Sequence, residues 1–272
     1  MFNNLEMVYS YGITLLILCP LIFLAAFIDS IAGGGGLISL PAYLFVGLPI
    51  HTAYGTNKFS ASMGGLTAMV NYIRGGYVDF HAAIFGGICA FFGSLIGTYL
   101  ALSLSPYALQ LSLMIILPLA GIFIFTRHSL MKILPNIGIF RNKPDMLGNL
   151  RAKLLICSLI GLVFGCYDGF FGPGTGMFIT MGLSAIVGLD LIKSAGSARV
   201  INFSSNIAST ITWIINGRVL FPIAIPCMLC AVSGAFLGSK MAMKEGKKFI
   251  SPILALVAIL LFVKILIDLI NL

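Results

Sequence analysis

Four ionisable residues border apolar runs of a sparsely charged chain. Asp29 and Asp168 each end a long apolar run, while Lys58 and Arg199 each open one. A lone charge in lipid is costly, so such residues mark ion pathways, proton relays or counter-ion pairs. They also occur as matched sets. Asp29 precedes Gly33-Gly34-Gly35-Gly36, and Asp168 precedes Gly172-Pro173-Gly174-Thr175-Gly176. Gly55-Thr56-Asn57-Lys58 matches Gly196-Ser197-Ala198-Arg199, and Gly93-Ser94-Leu95-Ile96-Gly97-Thr98 matches Gly234-Ala235-Phe236-Leu237-Gly238-Ser239. The matched residues lie 139 positions apart at the aspartates and 141 apart from Gly55 onward, so one two-residue indel aligns them. Shared hydrophobicity alone would not hold one spacing that far, and the chain reads as a duplication.

Thr56 and Ser197 each follow a glycine and precede an apolar run. Both residue types cap helix N-termini. Each is expected to start a short helix, with Lys58 or Arg199 in its first turn. A cation there opposes the helix dipole. The same violation twice points to a functional site, and a bound anion would resolve it. The expected substrate site comprises Lys58, Arg199, Thr56, Asn57, Ser197 and Asn202, with backbone amides at Gly34, Gly35 and Gly174. The competing reading pairs Lys58 and Arg199 with Asp29 and Asp168, or lets them reach the membrane surface. Pairing would leave an empty site nearly neutral, and the two readings are compatible. Asp29 and Asp168 are either proton- or cation-coupling groups, or caps and counter-ions. Ser60, Ser205, Asn206 and their small polar neighbours suit either a substrate rich in oxygen acceptors or ordinary interhelical hydrogen bonds.

Other chemistry finds less support. The glycine clusters follow no strand and carry no nucleotide-loop signature. The six cysteines all lie in apolar segments, and the Cys227-x-x-Cys230 pair lacks a redox context. His51, His81 and His128 have no metal-ligand spacing and meet no serine or cysteine in a recognisable motif. Neither a cofactor nor a metal is expected. A transporter is the leading expectation, with an anion channel or an intramembrane enzyme as alternatives.

The elements that must position these residues follow from composition. Of 272 residues, 59% are hydrophobic and 9% charged, against about 25% charged in soluble domains. Lipid must cover most of the surface. Apolar runs long enough to span occur at 9–28, 80–103, 106–126, 219–243 and 249–271, with 152–168 marginal. Four shorter runs, 37–48, 59–73, 176–189 and 200–216, fall short of a hydrocarbon core of about 30 Å and read as broken or re-entrant helices. The first run has no basic residue before Lys58, which argues for a retained helix over a signal peptide. The expected fold is an all-α membrane protein of two inverted repeats. Each has about three full spans plus a pair of short helices. The first repeat covers 1–126, a basic linker 127–153 and the second repeat 154–272.

Orientation follows from charge. The net charge is +8. Arg127, Lys132, Arg141, Lys143, Arg151 and Lys153 form one basic stretch, and Lys240, Lys244, Lys247 and Lys248 another. Both are expected to be cytoplasmic. The segments between them must then cross an even number of times, and each repeat an odd number. The second repeat would be upside down and both termini outside. Discontinuous helices in inverted repeats place transporter sites near the midplane. Expected partners are the lipid bilayer and a small anion. No soluble module remains to bind nucleic acid. The G-x-x-x-G motifs at Gly93 and Gly234 favour close helix packing, and the glycine-rich faces make a homodimer an expectation.

Phe27-Ile28-Asp29-Ser30-Ile31-Ala32-Gly33-Gly34-Gly35-Gly36, Thr56-Asn57-Lys58 and Tyr167-Asp168-Gly169-Phe170-Phe171-Gly172-Pro173-Gly174 resemble the TauE/SafE family of sulfite and sulfonate exporters, also called the toluene-sulfonate uptake family. The similarity runs over nearly the whole chain. It implies secondary transport of sulfur-containing anions across a bacterial plasma membrane. It leaves the particular anion and the direction open, because the family covers varied substrates moved both ways. Ala198 stands where the first copy has Asn57.

Overall fold

A computed structural model describes residues 9–113, 115–116 and 150–245. Most of the linker, most of the 106–126 run and all of the 249–271 run lie outside the described residues, as do both termini. Eight helices carry the architecture. They are α1 (Tyr11–Ala32), α2 (Gly36–Phe45), α3 (Ile50–Arg74), α4 (Phe80–Ser103), α5 (Leu150–Phe170), α6 (Thr175–Ala185), α7 (Leu191–Ile215) and α8 (Phe221–Glu245). A further helical stretch begins at 106. The order long, short, long, long occurs twice, so α1 to α4 correspond one by one to α5 to α8. Among the described residues, α1, α4, α5 and α8 are long and apolar enough to cross a membrane. The 152–168 run, marginal by length, belongs to the 21-residue α5.

Two expectations are corrected. The runs at 59–73 and 200–216 are not short helices. Each is the apolar end of a 25-residue helix, α3 or α7, about 37 Å long at 1.5 Å per residue. Their first turns were hidden by His51, Asn57, Lys58, Lys193 and Arg199, polar residues that suppress hydropathy although several are buried. Only α2 and α6, of 10 and 11 residues, are too short to span. Second, Thr56 and Ser197 cap nothing. They sit inside α3 and α7, and their hydroxyls accept hydrogen bonds from the backbone N–H of Leu220 (3.1 Å) and Asp79 (2.9 Å). Each thereby ties one half's long helix to the turn before the other half's fourth helix, α8 or α4.

Helix packing uses the small residues. Gly93 and Gly97 of α4 lie against the carbonyls of Leu162 and Cys166 of α5. Gly234 and Gly238 of α8 lie equivalently against those of Phe23 and Phe27 of α1. A Cβ at any of the four would collide with backbone, so only glycine permits the approach. In each pair the contacts advance together along both chains, so α1 and α8 run in the same direction, as do α4 and α5. Helices α3 and α7 pack on each other through Ser62 and Thr210, whose hydroxyls are 2.7 Å apart. Large apolar side chains point outward instead: Leu16, Phe92, Tyr99, Leu155 and Leu229 are all exposed.

Candidate functional site

The two glycine-rich turns meet near the centre of the bundle. Gly33 of the turn after α1 contacts Gly176 in the first turn of α6, and Gly36, which opens α2, contacts Pro173 of the turn after α5. Gly33 has φ of 85°, a left-handed conformation glycine adopts without strain. A Cβ there or at Gly176 would also lie 2.8 or 2.5 Å from Arg199 Nη2. The tips brought together are thus these turns, with the first turns of α2 and α6 behind them, and not the segments around Thr56 and Ser197.

Two ion pairs flank the meeting point. Lys58 Nζ lies 2.9 Å from Asp168 Oδ2, and Arg199 Nη1 lies 3.0 Å from Asp29 Oδ2. Each joins the long polar helix of one half to the aspartate ending the first helix of the other. The pairing read from charge alone is therefore present. The surroundings of the pairs differ. Lys58 Nζ also donates to Asn206 Oδ1 at 3.1 Å, and Ser205 Oγ donates to Asp168 Oδ2 at 2.7 Å. Asn206 Nδ2 donates to Asn202 Oδ1 at 2.8 Å. At the other pair, Arg199 Nη1 donates to the Asp29 carbonyl at 2.7 Å and Gly35 N donates to Asp29 Oδ1 at 3.0 Å. Arg199 Nε and Nη2, although buried, have no acceptor. The Asn57 side-chain oxygen is likewise buried without a donor. The Asp29 side chain is 31% exposed, against 3% for Asp168.

A cavity of about 60 Å³ opens beside these groups, several times what one water needs. Asp29, Lys58, Asp168, Arg199, Asn57 and Asn202 all line it, together with Gly35. Thr56 and Ser197 do not; their hydroxyls are engaged as described. Gly34 and Gly174 do not line it either: the Gly34 carbonyl accepts from Leu37 N, and Gly174 precedes α6 with φ of 83°. Three contributors lay outside the expected site: Asn206, which holds Lys58, and Gly33 and Gly176, which admit Arg199. Asn206 was legible as one of several small polar residues. Its selection needed the register between α3 and α7.

A buried guanidinium with unused N–H groups favours an acceptor-rich partner, because an unmade hydrogen bond to a buried charged group costs more than the ~1–3 kcal/mol of a neutral one. The Nε and Nη2 groups form the edge that an oxyanion can accept bidentately. Among the described residues no cluster of His, Cys, Asp and Glu could hold a metal ion. His51 is buried against Trp213, ring centroids 6.1 Å apart, away from the cavity lining.

The sequence matches the model of the family described as "Sulfite exporter TauE/SafE" over residues 18–265. A "Probable membrane transporter protein" of Haemophilus influenzae is 37% identical over 90% of this chain and 92% of its own. A "Probable membrane transporter protein ORF9" of Sinorhizobium sp is 34% identical over 90% of each chain. A "Probable membrane transporter protein YfcA" of Escherichia coli K12 is 30% identical over 98% of this chain and 94% of its own. No solved structure matches the chain. The paired aspartates, the glycine-rich turns that follow them and a match spanning nearly the entire sequence agree: the chain belongs to the TauE/SafE family of membrane transporters.

Proposed function

We propose that this chain is a secondary transporter of small sulfur-containing anions, such as sulfite, thiosulfate or simple sulfonates, that bind in the central cavity. The observation that carries the reading is Arg199: buried, lining the cavity, and left with two nitrogens that have no acceptor. An oxyanion supplies the missing acceptors, with Lys58, Asn57 and the first-turn amides of α2 and α6 nearby. Helix N-termini attract anions through their free N–H groups, and this arrangement keeps that part of the expectation while moving it to different helices. Both ion pairs leave the empty site near neutrality, so the anion competes with Asp29 for Arg199.

The reading includes an inverted duplication. Its support lies in chain directions. Helix α8 runs with α1, and also with α3, since Gly64 lies against Ala231 and Asn71 Nδ2 reaches Ser239 Oγ at 2.8 Å. A five-residue turn through Gly76 separates α3 from α4, and connections that short send the next helix back. Helix α4 then opposes its counterpart α8. Alternating access would rock the halves about the cavity. The bacterial plasma membrane, with the basic linker inside and both termini outside, completes the proposal.

The test is flux into liposomes holding the purified protein. Wild type is expected to move at least one of sulfite, thiosulfate or methanesulfonate. Arg199→Lys keeps the charge but loses the fork and is expected to lose most flux while remaining folded; Lys58→Ala is expected to lose it as well. Wild-type rates in both variants would move the site elsewhere. Conductance without counterflow exchange would replace the transporter with a channel.

A further inference from the structure

The cavity is one-sided, although the frame around it is duplicated. The long helices α3 and α7 both line it, but of the remaining corresponding pairs α1 and α8 supply walls where α5 contributes Asp168 alone and α4 nothing. The reason lies in three corresponding positions. Helix α7 presents Asn202, Ser205 and Asn206 toward the Lys58–Asp168 pair. At the same register, 141 residues earlier, α3 presents Ala61, Gly64 and Gly65 to the cavity that Arg199 and Asp29 also line. Asn206 and Ser205 occupy the space beside the first pair and satisfy it. Gly64, matching Ser205, packs against Ala231, and Gly65, matching Asn206, leaves its space open. A Cβ at Gly65 would meet nothing within 4 Å, so its openness is not enforced by backbone packing as at Gly93 or Gly234. Small residues alone do not make a site. Here the buried guanidinium of Arg199 lines the same cavity with unused N–H groups.

We infer that Gly65 is the specificity-determining position of the transporter: it keeps open its side of the cavity and sets the size of the oxyanion admitted, while Asn206, lining the same cavity, fills the corresponding place beside the Lys58–Asp168 pair. Arg199 takes the anion's oxygens, and the space beside Gly65 takes its substituent. This inference rests on the transport reading for its substrate class, but not for the position of the cavity.

The experiment has two arms. In the first, Gly65→Ala, Gly65→Ser and Gly65→Asn are reconstituted, and uptake of sulfite is compared with that of the largest sulfonate wild type carries. Ala and Ser are expected to lower the large sulfonate at least tenfold more than sulfite, and Asn to abolish both. Wild-type rates for both anions in Gly65→Asn would overturn the inference. The second arm needs no transport. The thiols of Gly65→Cys and Asn206→Cys are modified with a small methanethiosulfonate in the full-length protein, and labelling is mapped by peptide mass spectrometry. The thiol at 65 is expected to react at least tenfold faster; equal rates, or the reverse order, would overturn the inference. If wild type carries no sulfur oxyanion but the thiol at 65 reacts faster, the substrate reading fails and the one-sided cavity stands.

Discussion

The two halves of the site use the same parts to opposite ends. At the Lys58–Asp168 pair Asn206 and Ser205 each add a hydrogen bond, and the two side chains are only 4% and 3% exposed. At the Arg199–Asp29 pair the neighbouring positions are glycine and alanine, the carboxylate is partly exposed, and the guanidinium keeps unused donors. The helix order long, short, long, long occurs twice and supplies two corresponding frames. Both pairs line the cavity, but one has its hydrogen bonds met within the protein and the other keeps donors for something to bind. A buried ion pair is by itself weak evidence for either role; what separates the two is whether the remaining hydrogen-bonding capacity is used.

This contrast can be broken most directly by deleting each cation. Lys58→Ala leaves Asp168 buried and uncompensated, which is expected to cost about 3–5 kcal/mol, seen as a large drop in the melting temperature in detergent. Arg199→Ala leaves Asp29 within reach of water and removes donors that were already unsatisfied, so less than half that loss is expected. Equal losses would mean that both pairs are staples.

Positions that kept their role in both halves should instead behave alike. Thr56 and Ser197 accept the same type of backbone N–H across the repeat boundary. Thr56→Ala and Ser197→Ala are each expected to cost about 1 kcal/mol and to leave substrate preference unchanged, measured by thermal unfolding and flux competition. A changed preference in either would return the hydroxyl to the site.

A third ion pair, away from the cavity, calibrates the smallest effect. Asp79 caps α4 through Ala82 N and pairs with Lys153 at 2.7 Å. Burial would raise its carboxyl, but the bond from Lys153, the Ala82 amide and the charges of Lys153 and His81 outweigh it and hold it below the usual carboxylate value. A lowered folded value means the contribution is present above the unfolded carboxylate range, near pH 4, and fades as the pH falls through the folded value. Asp79→Asn is expected to cost at most about 1 kcal/mol at neutral pH and to converge with wild type in acid. A gap that persists in acid would assign the effect to the cap alone.

Much of this was legible before any fold. Low charge and long apolar runs specify lipid-facing helices, because spanning segments must hide their backbone and face hydrocarbon. The spacing of 139 to 141 residues specified the duplication, and Asp29, Lys58, Asp168 and Arg199 stood out as charges in an apolar chain. The length of α3 and α7 was not legible. Hydropathy scores each residue against water or lipid, whereas their polar turns face neither and are matched by partners well over a hundred positions away. The role of Thr56 and Ser197 was misread for the same reason, since a hydroxyl before an apolar run looks like a cap until its acceptor duty to a distant turn is seen.

Sequence alone determined the class of protein, the two copies and the four charges, because each rests on composition or on spacing along the chain. Tertiary structure alone decided which carboxylate meets which cation, that the glycine-rich turns meet, and which of the two pairs has its hydrogen bonds met. Those are questions of which side chain occupies a given volume. The answer lies in Gly65 and Asn206, which the 141-residue spacing pairs but whose surroundings only the packing of α3 and α7 reveals.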